Sequence, residues 1–388
     1  MSLVSASKFH RVLSLGLLGL SFCATGALAK GIEIKDASVP FKVTTVTEGL
    51  QNPWGLALLP DGTMLVTEKP GRMRLVSPNG EKGPALEGVP EVMSTGQGGL
   101  LDVVLAPDFA TSQRIYFSYS EPEGKANSTA VAHAVLKGNK LENVTRIFSQ
   151  QPKVESNAHF GSRLVFHPDG TLFVTLGDRY SRMDDAQTLD NHHGKVVRIK
   201  PDGSVPEDNP FVNTSGALPE IWSIGHRNMQ GAALHPVTHQ LWTGEHGPQG
   251  GDEINLDQAG KNYGWPVITY GENYGGGKIP SSIGTHKEGM EQPVYKWVPS
   301  LATSGLTFYT GDKFPEWKGN MLIASLKANT LVRLEFDGDK VTHEERLLTR
   351  EVAQRLRHVV QGPDGFIYLI TDDTNGRILR LEPLKRGK

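Results

Sequence analysis

One short phrase recurs along this chain and limits its fold more than any other feature: a Pro-Asp-Gly-like turn, an alternating apolar strand, then a second short strand. It stands at Pro60-Asp61-Gly62 before Met64-Leu65-Val66, at Pro107-Asp108-Phe109 before Ile115-Tyr116-Phe117, and at Pro168-Asp169-Gly170 before Leu172-Phe173-Val174. Looser copies stand at His235-Pro236 before Leu241-Trp242, at Phe314-Pro315 before Met321-Leu322-Ile323, and at Pro363-Asp364-Gly365 before Ile367-Tyr368-Leu369. The starts of these six units lie roughly fifty to eighty residues apart, against the ~40–45 of a minimal propeller blade. The surplus falls into loops, the longest at 180–193, 202–219 and 266–294, none with a sustained helical period. Loops on a rigid scaffold are where binding and catalytic residues concentrate. The apolar runs after each turn predict blades stacked face to face in an all-β, six-bladed β-propeller. Val43-Thr44-Thr45-Val46, early in the chain, is the candidate to complete the last blade. A pair of β-sandwiches is the competing architecture, but no linker rich in Pro, Ser or charge divides the chain. Residues 30–388 therefore read as one domain.

Residues 1–29 read as a secretory signal. Lys8 and Arg11 give a positive start, the apolar run 12–22 follows, and Ala27-Leu28-Ala29 is a small-residue cleavage site. The expected location is the periplasm or the exterior, with no transmembrane segment in the mature chain. Leu20-Ser21-Phe22-Cys23 resembles a lipobox, but bulky Phe22 stands where a small residue is needed, which argues against lipidation. The single cysteine, Cys23, lies inside this leader, so the mature chain has neither disulfide nor thiolate chemistry. A length of 388 residues with 38% hydrophobic content is ample for a core, and 44 glycines with 24 prolines fit a turn-rich β protein. A formal net charge of −2 gives no electrostatic reason to expect nucleic acid as a partner.

Two turns concentrate the chemistry. Gly225-His226-Arg227-Asn228-Met229-Gln230-Gly231 carries a planar fork of donors at Arg227, suited to carboxylate oxygens, with amides at Asn228 and Gln230. In Glu245-His246-Gly247-Pro248, Gly247 permits close backbone approach and Pro248 adds a carbonyl with no competing N–H, so the pair can aim oxygens at Ca²⁺. Two ordinary β-turns with a capping arginine would read the same way from these residues alone.

An ordered series of motifs resembles the soluble, pyrroloquinoline quinone (PQQ)-dependent aldose sugar dehydrogenases, within the wider glucose/sorbosone dehydrogenase group. It runs through Asn52-Pro53-Trp54-Gly55, Gly96-Gln97-Gly98-Gly99, His159-Phe160-Gly161-Ser162-Arg163, Gly225-His226-Arg227-Asn228, Glu245-His246-Gly247-Pro248 and Asp252-Glu253-Ile254-Asn255. It continues through Asn262-Tyr263-Gly264-Trp265-Pro266, Ser325-Leu326-Lys327 and Arg355-Leu356-Arg357, covering nearly the whole mature chain. The resemblance implies PQQ lying over the central channel, Ca²⁺ beside its quinone, and oxidation of the C1 hydroxyl of aldoses to lactones. Hydride would pass to PQQ and electrons onward to an external quinone or cytochrome.

By the same resemblance His159 is the general base, a task suited to an imidazole near neutral pH, and Arg227 stabilises charge on the quinone oxygen. The glucose-oxidising branch places Asp before this His, whereas Ala158 stands here, which leaves open what orients the ring. Asn228 and Gln97 fall beside the quinone, and Gln230 supports the turn. Lys327, Arg355 and Arg357 resemble a cationic clamp on the PQQ carboxylates, the last two expected on one face of a strand. Ser300 matches a hydroxyl for a carboxylate, and Tyr274 an aromatic leaning on the cofactor plane. Gly247 and Pro248 would give carbonyl oxygens to the cofactor Ca²⁺, Glu253 and Tyr263 a carboxylate and a carbonyl to a second, structural Ca²⁺, and Asp252 a turn cap. A propeller lactonase and a non-catalytic binding platform are the rival readings; the first wants a carboxylate cluster in the channel, where the candidates here are mostly cationic.

Overall fold

The computed structural model describes residues 31–384; the predicted leader and its cysteine lie outside the described residues. The Pro-Asp-Gly turns form as their chemistry dictates. Gly62, Gly170 and Gly365 take positive φ of 84°, 90° and 79°. The preceding aspartates accept the amide two residues on: Thr63 at 2.9 Å, Thr171 at 2.8 Å and Phe366 at 3.1 Å. Each turn joins the first and second strands of one antiparallel sheet, as in Pro53–Leu58 followed by Met64–Glu68.

There are six such sheets, five of four strands and one of five. Their first strands are Pro53–Leu58, Leu100–Leu105, Leu164–Phe166, Met229–Leu234, Thr303–Phe308 and Leu356–Gln361, each touching the next around a closed ring. These are blades 1 to 6 of a β-propeller, with the first strands lining the central channel. Strand Phe41–Leu50 pairs with Gly376–Pro383 and so completes blade 6 from the other end of the chain, as Val43 to Val46 predicted.

The second strands are buried throughout in five blades, because neighbouring blades cover both of their faces. That is why they read as continuous apolar runs rather than strict alternation. Each junction between blades has its own apolar cluster, such as Leu65, Leu100, Val103 and Phe117 between blades 1 and 2, or Val174, Leu176, Tyr116 and Val131 between blades 2 and 3.

Antiparallel order decides where function sits. The connections that enter each first strand and those that leave each second strand emerge at the same end of the ring. Gln97, His159, Arg227, Ser300 and Arg355 lie on or at the end of the entering connections, and Gly247, Pro248 and Lys327 on the leaving ones. The 258–294 connection of blade 4 starts at the opposite end, runs beside the outer strand of blade 3 through an Ile224–Asn262 bridge, and brings Tyr263, Trp265 and Tyr274 to the same face.

Candidate active site

His159 sits at the channel mouth with φ of 53° and its side chain 7% exposed. Its orientation comes from Asp178, not from its chain neighbour: Nδ1 lies 2.6 Å from Asp178 Oδ1. The amide of Tyr180 donates to the same oxygen at 2.8 Å, and the indole N–H of Trp265 donates to Oδ2 at 2.8 Å. Burial disfavours the charged carboxylate, but His159, Arg227 and the Tyr180 amide together hold Asp178 below the usual carboxylate range. Burial, with the charges of Arg227 and Arg179, pushes His159 below the ordinary imidazole value against the pull of Asp178. The ring is therefore neutral at neutral pH, with Nδ1–H on Asp178 and Nε2 left to take a proton.

Gln97 meets the base rather than the arginine: its Oε1 accepts the His159 amide at 2.8 Å. Arg227 is buried, with a guanidinium 5.3 Å from the Trp265 ring centroid. Its Nη1 donates to the carbonyls of His246 at 3.2 Å and Gly247 at 2.7 Å, while its Nε has no hydrogen-bond partner. Asn228 accepts the Gly161 amide at 3.0 Å through Oδ1 and keeps an unpartnered Nδ2. Gln230 supports the channel: its Oε1 accepts from Arg357 at 2.5 Å and its carbonyl from Arg163 at 2.9 Å.

Beside Arg227 a cavity of about 520 Å³ is lined by Gly247, Pro248, Tyr274, Ser300 and Lys327, joining five of the predicted cofactor and metal residues. The Ser300 hydroxyl is buried with no partner, Lys327 is exposed, and Tyr274 is 65% exposed. Gly247 has to be glycine, because a Cβ there would come within 2.1 Å of the Gly250 carbonyl oxygen and 2.4 Å of that of Gly251. Asp252 braces the turn by accepting the amides of Gly247 at 3.0 Å and Ala302 at 2.6 Å.

A smaller enclosed cavity brings Glu253 and Tyr263 together with Glu245 and Gly251. Burial, then the charge of Glu245, raises the Glu253 carboxyl to about 8. The Tyr263 hydroxyl is committed to Leu256 O at 2.5 Å and the ring stacks on His226 at 4.8 Å, so only its backbone can serve a ligand. His226 is held between Glu245 at 2.9 Å and Asp257 at 3.2 Å; these carboxylates outweigh burial and raise its imidazole to about 9.

The arginine pair shares one partner with unequal burial. Arg355 precedes the strand Leu356–Gln361, a register shift lies between Leu356 and His358, and the two guanidinium groups converge on a single carboxylate, Asp372. Arg357 is buried 2.5 Å from Asp372, whereas Arg355 is 52% exposed at 3.5 Å. Three aspartates accompany the cations, each tied to its own partner: Asp102 to Arg163, Asp178 to His159 and Asp372 to Arg357. Among the described residues no group of three or more acidic, His or Cys side chains is placed to hold a metal ion. The carboxylate cluster a lactonase needs is absent from the described channel.

A closed ring of six blades carries a His–Asp pair, a guanidinium and a polar cavity on one face, and family membership places it among the propeller oxidoreductases. The chain belongs to the Glucose / Sorbosone dehydrogenase family, whose model matches residues 50–380. It is 47% identical over 352 residues to the aldose sugar dehydrogenase YliI of Escherichia coli, covering 89% of this chain and 94% of that one. The solved apo-form of the soluble aldose sugar dehydrogenase from Escherichia coli matches with a TM-score of 0.86 and 45% identity, over 89% of this chain and 100% of the other. The PQQ-bound aldose sugar dehydrogenase of Streptomyces coelicolor matches with a TM-score of 0.72 and 30% identity, over 91% of this chain and 98% of the other.

Proposed function

We propose that this oxidoreductase converts the C1 hydroxyl of aldoses to the lactone, with PQQ and Ca²⁺ as cofactors and an external quinone or cytochrome as electron acceptor. The observation that carries the reading is a set of buried donors without partners on the face that holds the His159–Asp178 pair: Ser300 Oγ, which lines the polar cavity, and Arg227 Nε and Asn228 Nδ2 on the neighbouring turn. Unpartnered buried donors are costly unless a ligand satisfies them, and a planar tricarboxylate quinone supplies acceptors of that kind. The residues present therefore fit the group. Ser300 and Lys327 would hold its carboxylates, Arg227 and Asn228 would face its quinone, and the Gly247 and Pro248 carbonyls would hold the metal. When bound, PQQ supplies the two-electron acceptor for the C1 hydride, and Ca²⁺ supplies Lewis acidity at its quinone oxygen.

The chain's own residues supply the rest. Asp178 fixes the imidazole so that Nε2 faces the sugar and accepts the C1 hydroxyl proton. Arg227 places a fixed positive charge where negative charge grows, with no reorganisation needed at the moment of reaction. Its present bond to Gly247 O uses one lone pair of the same oxygen proposed to ligate Ca²⁺. The second site, at Glu253 and the Tyr263 carbonyl, would hold a structural Ca²⁺ that offsets the cost of burying two glutamates together. Among the described residues no helix is long and apolar enough to cross a membrane. Location in the periplasm or outside the cell is proposed on the leader alone.

The test is reconstitution of purified apoprotein with PQQ and Ca²⁺, an artificial dye acceptor and a panel of aldoses. Dye reduction with lactone formation supports the reading. Lactone hydrolysis without PQQ, or no activity of either kind, overturns it.

A further inference from the structure

We infer that Tyr180 is the sugar platform of this site, an aromatic surface that takes the C–H face of an aldopyranose while C1 meets His159; this rests on the aldose reading above. The ring of Tyr180 stands edge-on to the His159 imidazole, centroids 5.3 Å apart at 73°. It is nevertheless 55% exposed, and the large aromatics exposed to this degree among the described residues are Tyr180 and Tyr274. Tyr274 already lines the proposed cofactor cavity. Tyr180 does not line that cavity and lies instead against the proposed base, where the sugar's C1 would stand.

The backbone is forced into this arrangement. Arg179 and Tyr180 are consecutive non-glycine residues with φ of 58° and 63°, a conformation that costs free energy and persists only where the surroundings over-determine it. Arg179 provides that constraint. Fully buried, it donates to the carbonyls of Ala158 at 3.1 Å, Asn127 at 2.9 Å and Ser156 at 2.8 Å and to Asn127 Oδ1 at 2.7 Å, and it stacks 4.0 Å from the centroid of Phe160. The left-handed pair sends the Tyr180 amide back onto Asp178 Oδ1 and the Tyr180 ring outward over His159. One strained turn thus orients the base and presents an aromatic face beside it. A pyranose offers hydroxyls at its rim and C–H groups on its faces, so an exposed aromatic plane next to a buried polar base matches both parts of that ligand.

The test compares Tyr180→Gly, Tyr180→Ala and Tyr180→Phe as reconstituted holoenzymes. Glycine favours the left-handed region, so Tyr180→Gly keeps the turn without strain and separates loss of the ring from loss of the fold. The expected result is a rise in KM for aldopyranoses of about five- to tenfold in the Gly and Ala variants. The PQQ concentration for half-reconstitution and the acidic limb of the pH profile should stay where they are, and Tyr180→Phe should recover most of the loss. Wild-type protein that oxidises no aldose overturns the functional reading and this inference with it. Active wild type with an unchanged KM in Tyr180→Gly overturns this inference alone. So does a KM lost equally in Tyr180→Phe, which would assign the effect to the hydroxyl, or a displaced PQQ titration, which would place the ring on the cofactor.

Discussion

Replacing Asp178 by Asn tests the catalytic geometry most directly, because the change removes one charge and almost no volume. Three donors converge on this carboxylate: His159 Nδ1 at 2.6 Å, the Tyr180 amide at 2.8 Å and Trp265 Nε1 at 2.8 Å. An asparagine offers one acceptor oxygen and one NH₂. If the oxygen stays with His159 and Tyr180, the NH₂ opposes the indole N–H. If it turns to Trp265, the NH₂ meets His159 Nδ1 and selects the tautomer that carries its proton on Nε2, which cannot then act as base. Either way a buried donor goes unsatisfied, at about 1–3 kcal/mol of stability. Loss of a correctly poised base lowers kcat by roughly 10²–10⁴, about 2.7–5.5 kcal/mol of barrier. The pH dependence adds an independent check. As the proposed base His159 acts when deprotonated, so kcat/KM should rise with pH through its pKa, which burial and Arg227 hold below the ordinary imidazole value of about 6.5. Asp178 is the main group opposing that shift, so in Asp178→Asn the acidic limb should move further toward low pH. The assay is dye reduction against pH with sugar varied from below KM to saturation, at saturating PQQ and Ca²⁺, beside a thermal melt. Turnover within twofold of wild type with an unmoved limb would refute the dyad.

His159→Ala should leave PQQ titration unchanged while kcat falls by about 10²–10⁴; loss of cofactor binding with normal turnover in the remaining holoenzyme would contradict the base role. The two arginines should now separate: Arg357→Ala strands buried Asp372 and should cost about 3–5 kcal/mol of stability, whereas exposed Arg355→Ala should leave the melting temperature nearly unchanged, and equal melts would refute the asymmetry. Saturating Ca²⁺ should stabilise the apoprotein by about 2.7 kcal/mol at a hundredfold excess over Kd, and Glu253→Gln should remove most of the part owed to the second site; an unchanged calcium-dependent melt in that variant dismisses Glu253 as a ligand. Gly247→Ala forces a Cβ against two carbonyls and should cost about 1–3 kcal/mol and weaken PQQ reconstitution; wild-type reconstitution would show that the turn is not held as described.

The propeller was legible because its signal is local and repeated. Each Asp-Gly pair needs only the next two residues to define its turn, and each following apolar run needs only to be covered on both faces. His159, Arg227, Gly247 and Ser300 each fall in a motif within a single connection, so the resemblance could nominate them from sequence. Asp178 and Asp372 were missed because their meaning is pairwise. Asp178 meets His159 nineteen residues earlier across two different connections, and Asp372 pairs with Arg357 in the neighbouring strand and with Arg355 just before it. A positional signal did exist: Asp372 directly follows a fully buried second strand and Asp178 follows another by one residue, at the end where each strand emerges. A carboxylate there, after four or five apolar residues, points at the channel mouth. The i, i+2 spacing of Arg355 and Arg357 pointed to a common side, and both reach Asp372, but their unequal burial was not legible because it depends on the end of the strand and on the register shift after Leu356.

The closure of blade 6 sets the order in which the molecule can become complete. Phe41–Leu50 is made early, yet its partner Gly376–Pro383 is among the last described residues, so the ring stays open until nearly the whole chain is available. Until then the pairing edge of Phe41–Leu50 has no neighbour, and the apolar surfaces of Leu56 and Met64, which finally pack against Tyr368 and Ile370 between blades 1 and 6, face solvent. Such long-range pairing is slow to form, which makes the open ring the species most prone to join edge to edge with another copy. The seam that gives the finished enzyme its rigidity is therefore also where its production is most sensitive to concentration and to truncation at either end of the ring.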